Sequence, residues 1–271
     1  MKIKCPAKIN LFLNVLGIKG TMHELCLINQ TISLYDEIEL IVTNTNIVEI
    51  VSKDNIPLDE TNSIYKAAKL FKETYKIKDG LLFKVKKKIP VAAGLGGEST
   101  DAAGTLLLLN EYYKLNKSKE ELSKLGIKIG SDIPFFIHSG YKEVSSIGDI
   151  ISNPSISNPF KWYIIIKPNY GLSTKEMYNK IDSHPFKKID INKMPYNDFM
   201  KVVPDSINKI KDYLDKNNID NHTLSGSGSA YYIALDKRNT ILYKKIKDYY
   251  NNYNVLIVKN SNGFIIENKK K

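Results

Sequence analysis

Apolar positions recur along this chain with two different spacings, and the switches between them mark its elements. The segments "LFLNVLGI", "EIELIVT" and "IVEIVS" carry the dense branched and aromatic content of strands. Residues 62–77, "NSIYKAAKLFKETYKI", put Ile64, Ala67, Ala68, Leu70, Phe71 and Tyr75 mostly on one face of a helix. Residues 81–89, "LLFKVKKKI", alternate as a strand does, and Pro90 ends it because proline cannot donate to a ladder. A glycine-rich stretch then leads into a helix over residues 99–113. A short helix in "KSKEELSKLGIKIG" precedes "SDIPFFIHSGYKEV". The serines, asparagines and prolines of residues 152–160 read as a connector. Beyond it come a strand "WYIIIKP", a helix "STKEMYNKI" and a helix over 203–217. A strand "AYYIAL", a helix "NTILYKKIKDYY" and a strand "NVLIV" complete the pattern. Strands and helices so interleaved predict an α+β chain of two lobes, 1–155 and 156–271, with no internal repeat.

Composition narrows the class. A chain of 271 residues with 42% hydrophobic and 25% charged content is globular, not disordered. Its longest apolar runs, "WYIII" and "LLLL", fall far short of a membrane span. Lys8 and Asn10 interrupt the apolar start and no small-residue cleavage site follows, so the expected location is the cytoplasm. Cys5 and Cys26 have no metal-ligand spacing and are expected as buried free thiols, and Trp162, in its apolar strand, as a core residue. The net charge of +11 suggests nucleic acid, but Arg238 is the one arginine among 40 basic residues. Base and phosphate readout favours arginine, so the charge implies a mild attraction for anionic substrates and no nucleic-acid or membrane partner. The terminal "NKKK" reads as a frayed tail.

The chemistry concentrates in "IPVAAGLGGESTDAAGTLLLLN", residues 89–110. Gly94, Gly96 and Gly97 permit close backbone approach, Ser99 and Thr100 offer hydroxyls, and the helix N-terminus that follows presents free N–H groups. The stretch could be a tight strand-to-helix turn or a cradle for phosphate oxygens; it is not a Walker A loop, since no Gly-Lys-Ser/Thr follows. In "CPAKINLFLNVLG", Lys8 and Asn10 fall two apart, hence on one side of an extended strand. In "IGSDIPFFIHSG", Asp132 reads as a helix N-cap or as a functional carboxylate, and "LSGSGSAYYIAL" is a second glycine-rich turn.

In their order along the chain the four segments resemble the motifs of the GHMP small-molecule kinases. "HELCLINQTISLYDEIEL", "NSIYKAAKLF", "GLSTKEMY" and "YNDFMKVV" point to the branch acting on a cytidyl diphosphate alcohol in non-mevalonate isoprenoid synthesis. The resemblance spans essentially the whole chain. It implies a ribosomal-protein-S5-like N-terminal lobe, a ferredoxin-like C-terminal lobe and a cleft between them. The implied reaction is ATP-dependent phosphorylation of a hydroxyl, with Mg²⁺ bridging phosphate oxygens. By position, Asp132 would be the base that takes the hydroxyl proton, with Lys8 beside it. Asn62, Lys87, Pro90, Ala92, Ala93, Gly94, Leu95, Gly96, Gly97, Ser99 and Thr100 would contact nucleotide. Asn10, His23, Tyr178, Gly226, Ser227 and Gly228 would contact the small-molecule cytidyl substrate, Tyr178 by stacking and His23 at the base edge. No protein side chain is assigned to metal, and the other histidines (His138, His184 and His222) receive no role.

The chain departs from the family pattern twice, with Met22 where relatives carry tyrosine and Glu98 where they carry a third loop glycine. Two other readings compete with the cytidyl one. One is a GHMP kinase for homoserine, mevalonate or a sugar; the other is a catalytically silent metabolite sensor, which the presence of both Lys8 and Asp132 disfavours.

Overall fold

Polar residues set deep in apolar strands dominate the architecture seen in a computed structural model, which describes residues 1–267. The "NKKK" expected to fray lies outside the described residues. The chain opens with a hairpin of two long strands, β1 (Lys2–Lys19) and β2 (Met22–Thr43), far longer than the "LFLNVLGI" and "EIELIVT" runs. Buried Lys8, Asn10, Asn14, Asn29, Gln30 and Thr31 broke the apolar pattern that would have shown their extent. Register shifts at Pro6/Ala7, Asn10/Phe12 and Val15/Gly17 break it again, since each flips the side-chain alternation.

The order continues with β3 (Val48–Ser52), α1 (Ser63–Tyr75), β4 (Gly80–Lys86), α2 (Gly97–Tyr112), α3 (Lys119–Gly126) and α4 (Ile133–His138). It proceeds through β5 (Tyr141–Ser146), β6 (Ile150–Ser152), β7 (Trp162–Lys167), α5 (Thr174–Ile181), β8 (Tyr196–Asn197) and α6 (Asp205–Lys216). It closes with β9 (His222–Leu224), β10 (Tyr231–Leu235), α7 (Thr240–Tyr249), β11 (Asn254–Lys259) and β12 (Ile265–Glu267). No regular element lies between β6 and β7, where the connector was expected. The caps follow local chemistry. Asn62 accepts from Ile64 N at the start of α1, and Ser118 with Glu121 forms a capping box on α3.

An eight-stranded sheet runs β12-β1-β2-β4-β3, with β5 and β6 continuing from β2 and β8 alongside β1. The second sheet is four antiparallel strands in the order β11-β7-β10-β9, the ferredoxin-like arrangement. Two strands from the later half, β8 and β12, therefore add to the first sheet. Alternation in β7 and β10 divides the core. Ile164, Ile166, Tyr231 and Ile233 belong to the main apolar cluster, whereas Tyr163, Ile165, Tyr232 and Ala234 pack with Ile9, Leu11 and Ile28 of the first sheet. Helix α2 is apolar nearly all round and accordingly buried, with Ala102, Ala103, Leu106, Leu108 and Leu109 inaccessible to solvent.

Two smaller expectations are corrected. Cys5 is buried, but Cys26 is only half-buried. Trp162 is also partly exposed, because it opens β7 at the sheet's rim, where the Arg238 guanidinium sits 5.3 Å from its ring centroid.

Candidate active site

Lys8 and Asn10 alternate along β1 onto the same side, as their spacing predicts, and both are buried. Lys8 Nζ donates to Asn10 Oδ1 at 2.5 Å, and Asn10 Nδ2 donates to Asn29 Oδ1 of β2 at 2.7 Å. The Lys8 ammonium lies 3.8 Å from Asp132 Oδ2. Burial pulls its pKa below the ordinary lysine value, and the Asp132 charge opposes that fall. Asp132 stands at the N-cap position of α4, yet its side chain makes no capping hydrogen bond. The carboxylate is left over a third exposed and turned to the lysine, which favours the functional reading over the N-cap reading.

Opposite this pair stands the glycine-rich loop. Gly94 and Gly96 have φ of +72° and +75°, which side chains rarely adopt. A Cβ on Gly94 would lie 2.0 Å from Ser225 O, and one on Gly96 would lie 2.5 Å from the Phe136 ring, so neither position has room for a larger residue. Gly96 is the N-cap of α2 and supplies no side-chain cap, so the first-turn N–H groups of that helix have no side-chain partner. Those amides and the positive helix end suit an anion. The second glycine turn meets the first directly. Ser225 Oγ donates to Gly94 O at 3.0 Å, and Ala230 N donates to Ala93 O at 3.0 Å. Tyr232 Oη donates to Asn10 O at 2.9 Å, tying the second sheet to β1 at the same point.

A cavity of about 600 Å³ opens among these elements, within the ordinary range for a small-molecule site. Its lining unites Lys8, Asn10, Asn62, Lys87, Pro90, Ala92, Ala93, Gly94, Leu95, Gly96, Gly97, Ser99, Asp132, Tyr178, Gly226 and Ser227. Three other candidates do not line it. Thr100 is fully buried in α2, and its hydroxyl has no hydrogen-bond partner among the described residues. Gly228 packs inward against Leu172 and Leu224. His23 stands behind Tyr178, ring centroids 4.3 Å apart in a stacked geometry, with Nε2 2.6 Å from Asp182 Oδ1. Asn62 spends its side chain locally, donating to Pro57 O at 2.6 Å while accepting the cap bond. Tyr178 packs edge-on to Phe199, also on the lining, and burial, with the charges of Asp132 and Asp182, raises its phenol above the ordinary value.

Several residues that build the site left little trace in the sequence. Asn197 Nδ2 donates to Leu224 O at 2.8 Å and Gly226 O at 2.9 Å, holding the second glycine turn. Asp198 next to it accepts from Asn14 Nδ2, Val15 N, Tyr196 Oη and Lys201 Nζ, anchoring that segment to β1. A polar pair inside "YNDF" is the only signal that could have found them. Asp36 and Asp101 are buried beside Lys87; Asp101, a lone charge in the apolar run "DAAGTLLLL", was the more visible.

Of the two departures, Met22 is exposed at the β1–β2 turn and does not line the cavity. Glu98 is exposed in the first turn of α2, at the cavity's edge. Its charge suits the helix end but would repel bound phosphates. Glu98→Gly is therefore expected to leave the KM for ATP unchanged or lower in steady-state assays. A several-fold rise would instead make Glu98 an oxygen donor to Mg²⁺.

The chain is similar to proteins of known name. Residues 62–140 match the model of the GHMP kinases N terminal domain. A 4-diphosphocytidyl-2-C-methyl-D-erythritol kinase from Clostridium tetani is 44% identical over 185 residues, 67% of this chain and 65% of that protein. The protein of the same name from Clostridium novyi is 38% identical over 258 residues, covering 87% of this chain and 91% of the relative. The crystal structure of a 4-(cytidine 5'-diphospho)-2C-methyl-D-erythritol kinase superposes with a TM-score of 0.81, at 23% identity over 97% of this chain and all of the other.

Proposed function

We propose that this chain, which belongs to the 4-diphosphocytidyl-2-C-methyl-D-erythritol kinase family of GHMP kinases, transfers the terminal phosphoryl group of ATP to the 2-hydroxyl of that cytidyl alcohol. The observation that carries the reading is the Lys8–Asp132 pair facing an uncapped, glycine-rich helix start across one cavity. Phosphoryl transfer needs positioning and charge stabilisation more than covalent chemistry, and these residues supply both.

Asp132 accepts the proton of the attacking hydroxyl as the oxygen–phosphorus bond forms. Lys8, 3.8 Å away, offers positive charge to the phosphoryl oxygens. The loop from Gly94 to Ser99 receives the ATP phosphates through backbone amides, and Ile56, Pro57, Ile89 and Pro90 give the nucleotide an apolar wall. Tyr178 and Phe199, backed by His23, receive the cytosine. Gly226 and Ser227 approach the substrate diphosphate.

Mg²⁺ fits the donors present. Ser99 offers a hydroxyl oxygen on the lining, beside the uncapped start of α2. That is the open, oxygen-only environment in which Mg²⁺ is held largely by phosphates. When bound, the ion would neutralise charge on the transferred group. Among the described residues no helix is long and apolar enough to cross a membrane.

The test is ADP release by the purified protein with Mg-ATP and, separately, 4-diphosphocytidyl-2-C-methyl-D-erythritol, homoserine and mevalonate. Release with the cytidyl alcohol alone is expected. Release with another alcohol would overturn the substrate, and no release with any of them would overturn the kinase reading.

A further inference from the structure

Lys8 is fixed along its stem more firmly than at its head. Its backbone N donates to Leu95 O at 2.9 Å, and its Cγ would lie 3.2 Å from a Cβ on Gly96, so the stem runs close beside the glycine-rich loop. Among the described residues two groups hold the ammonium, Asn10 Oδ1 at 2.5 Å and Asp132 Oδ2 at 3.8 Å. The nearer is one end of an amide, whose two ends have almost the same shape and opposite hydrogen-bonding character. An ammonium has donors alone, so the Asn10 oxygen must face it and Asn10 Nδ2 must face away. That Nδ2 donates at 2.7 Å to Asn29 Oδ1, directly across the hairpin on β2. The register shifts immediately beyond this pair, between Asn10 and Phe12, an irregularity of the kind that re-aims side chains beside a site.

Asn29 itself touches no part of the cavity. It is inaccessible to solvent and does not belong to the lining. Its own Nδ2 is buried with no hydrogen-bond partner among the described residues. Lys142, paired with it on β5, turns its ammonium to Asn153 Oδ1 at 2.5 Å. The hydrogen bonds therefore run one way, from Lys8 through Asn10 to Asn29, and end on a stranded donor. With an apolar residue at position 29 the number of stranded donors would be the same, but the stranded one would be Asn10 Nδ2. A buried donor without an acceptor is costly, so that amide would turn to seek one. Turning it brings N–H towards the ammonium, donor against donor. Asn29 keeps the unpartnered group one residue away from the lysine.

We infer that Asn29 is a positioning residue for phosphoryl transfer: by accepting from Asn10 Nδ2 it locks the Asn10 oxygen onto Lys8 and so holds the ammonium beside Asp132. This rests on the kinase reading given above. Asn29 acts through two other side chains and meets neither substrate nor nucleotide. Its effect belongs to turnover, because the glycine-rich loop receives the ATP phosphates without it.

The test compares ADP release from Mg-ATP and 4-diphosphocytidyl-2-C-methyl-D-erythritol by the full chain as wild type, Asn29→Leu and Asn29→Asp, with a Mg-ADP binding isotherm for each. Asn29→Leu, branched alike but without an acceptor, should lose about 10- to 100-fold in kcat, since a misplacement near 1 Å is enough for that. Its KM for ATP and its Kd for Mg-ADP should stay within about twofold of wild type. Asn29→Asp keeps an oxygen for Asn10 Nδ2 whether or not it is ionised, and should retain kcat within about threefold. Asn29→Ala makes the same prediction as leucine, should the leucine variant fail to fold. Wild-type kcat in the leucine or alanine variant, equal losses in the leucine and aspartate variants, or a KM for ATP that rises as kcat falls overturns the inference alone. Failure of wild type to release ADP overturns the kinase reading and the inference with it.

Discussion

Replacing Asp132 with asparagine is expected to lower kcat by between about 10² and 10⁴-fold, the range for losing a positioned general base. Nucleotide binding should survive. The change is isosteric, and Asp132 makes no capping bond whose loss would unravel α4. Among the described residues its ion-pair partner is Lys8 at 3.8 Å, too long for a strong hydrogen bond. Removing the carboxylate leaves a buried ammonium that still bonds Asn10 at 2.5 Å, so the lysine retains one strong partner. The effect should therefore fall on turnover, with KM for ATP moving little. Steady-state kinetics, with a separate nucleotide-binding isotherm, distinguishes this from a folding defect. Turnover within threefold of wild type would remove Asp132 from the base role, and loss of nucleotide binding would mean that it organises the cavity instead.

How much of this could be read from the chain differs between loop and strand. The glycine loop, its helix and Asp132 were legible because glycines at unusual φ and a helix start leave a local signature. Helix α2 begins two residues earlier than "ESTDAAG" suggests, at Gly97, because Gly96 takes the left-handed N-cap conformation in place of a serine or threonine cap. The long hairpin was legible only in part. Its polar members Lys8, Asn10, Asn29 and Gln30 are buried because they form hydrogen bonds with one another or with distant backbone, such as Gln30 Nε2 to Ser261 O at 3.2 Å. Pairing across 231 residues leaves no periodic trace. Tyr178 shows the same limit. An aromatic on a helix ordinarily packs in a core; in the fold Tyr178 packs against Phe199 and lines the cavity at once.

Asp36 was hidden for a related reason. In "SLYDEIEL" alternation puts it on the side of Ile38 and Leu40, away from Glu37 and Glu39, yet nothing near it in the chain offers a buried carboxylate a partner. The register shift at Pro6/Ala7 lies opposite this part of β2, and Asp36 is wholly buried whereas Glu37 pairs with Lys88 at the surface. Buried charge is costly without a partner, and Lys87 and the amides of Lys88 and Ile89 supply it from the far strand end. Only tertiary structure brings those groups together.

Gly94→Ala should be the most damaging single-methyl change in the molecule's cavity wall. The new Cβ would lie 2.0 Å from Ser225 O and 3.0 Å from Gly228 N, both backbone atoms that cannot rotate away. Forcing a side chain into the left-handed region costs roughly 1–2 kcal/mol, and overpacking adds about 1–3 kcal/mol. A total of roughly 2–5 kcal/mol is expected in denaturant unfolding. Gly20→Ala is the matched control, since Gly20 has φ of +65° but nothing within 4 Å of its Cβ position. It should lose only the backbone part, roughly 1–2 kcal/mol. The functional cost of Gly94→Ala exceeds its stability cost, because relief of the clash must separate the two glycine turns. Ser225 Oγ to Gly94 O and Ala230 N to Ala93 O hold them together, and that contact sets the distance between the first glycine loop and Gly226. A displacement near 1 Å there is enough to cost about 100-fold in turnover. Folded Gly94→Ala protein, assayed well below its unfolding midpoint, should show that loss while Gly20→Ala keeps near wild-type turnover. Equal turnover in the two variants would mean that the contact between the turns supports the fold but does not align the reacting groups.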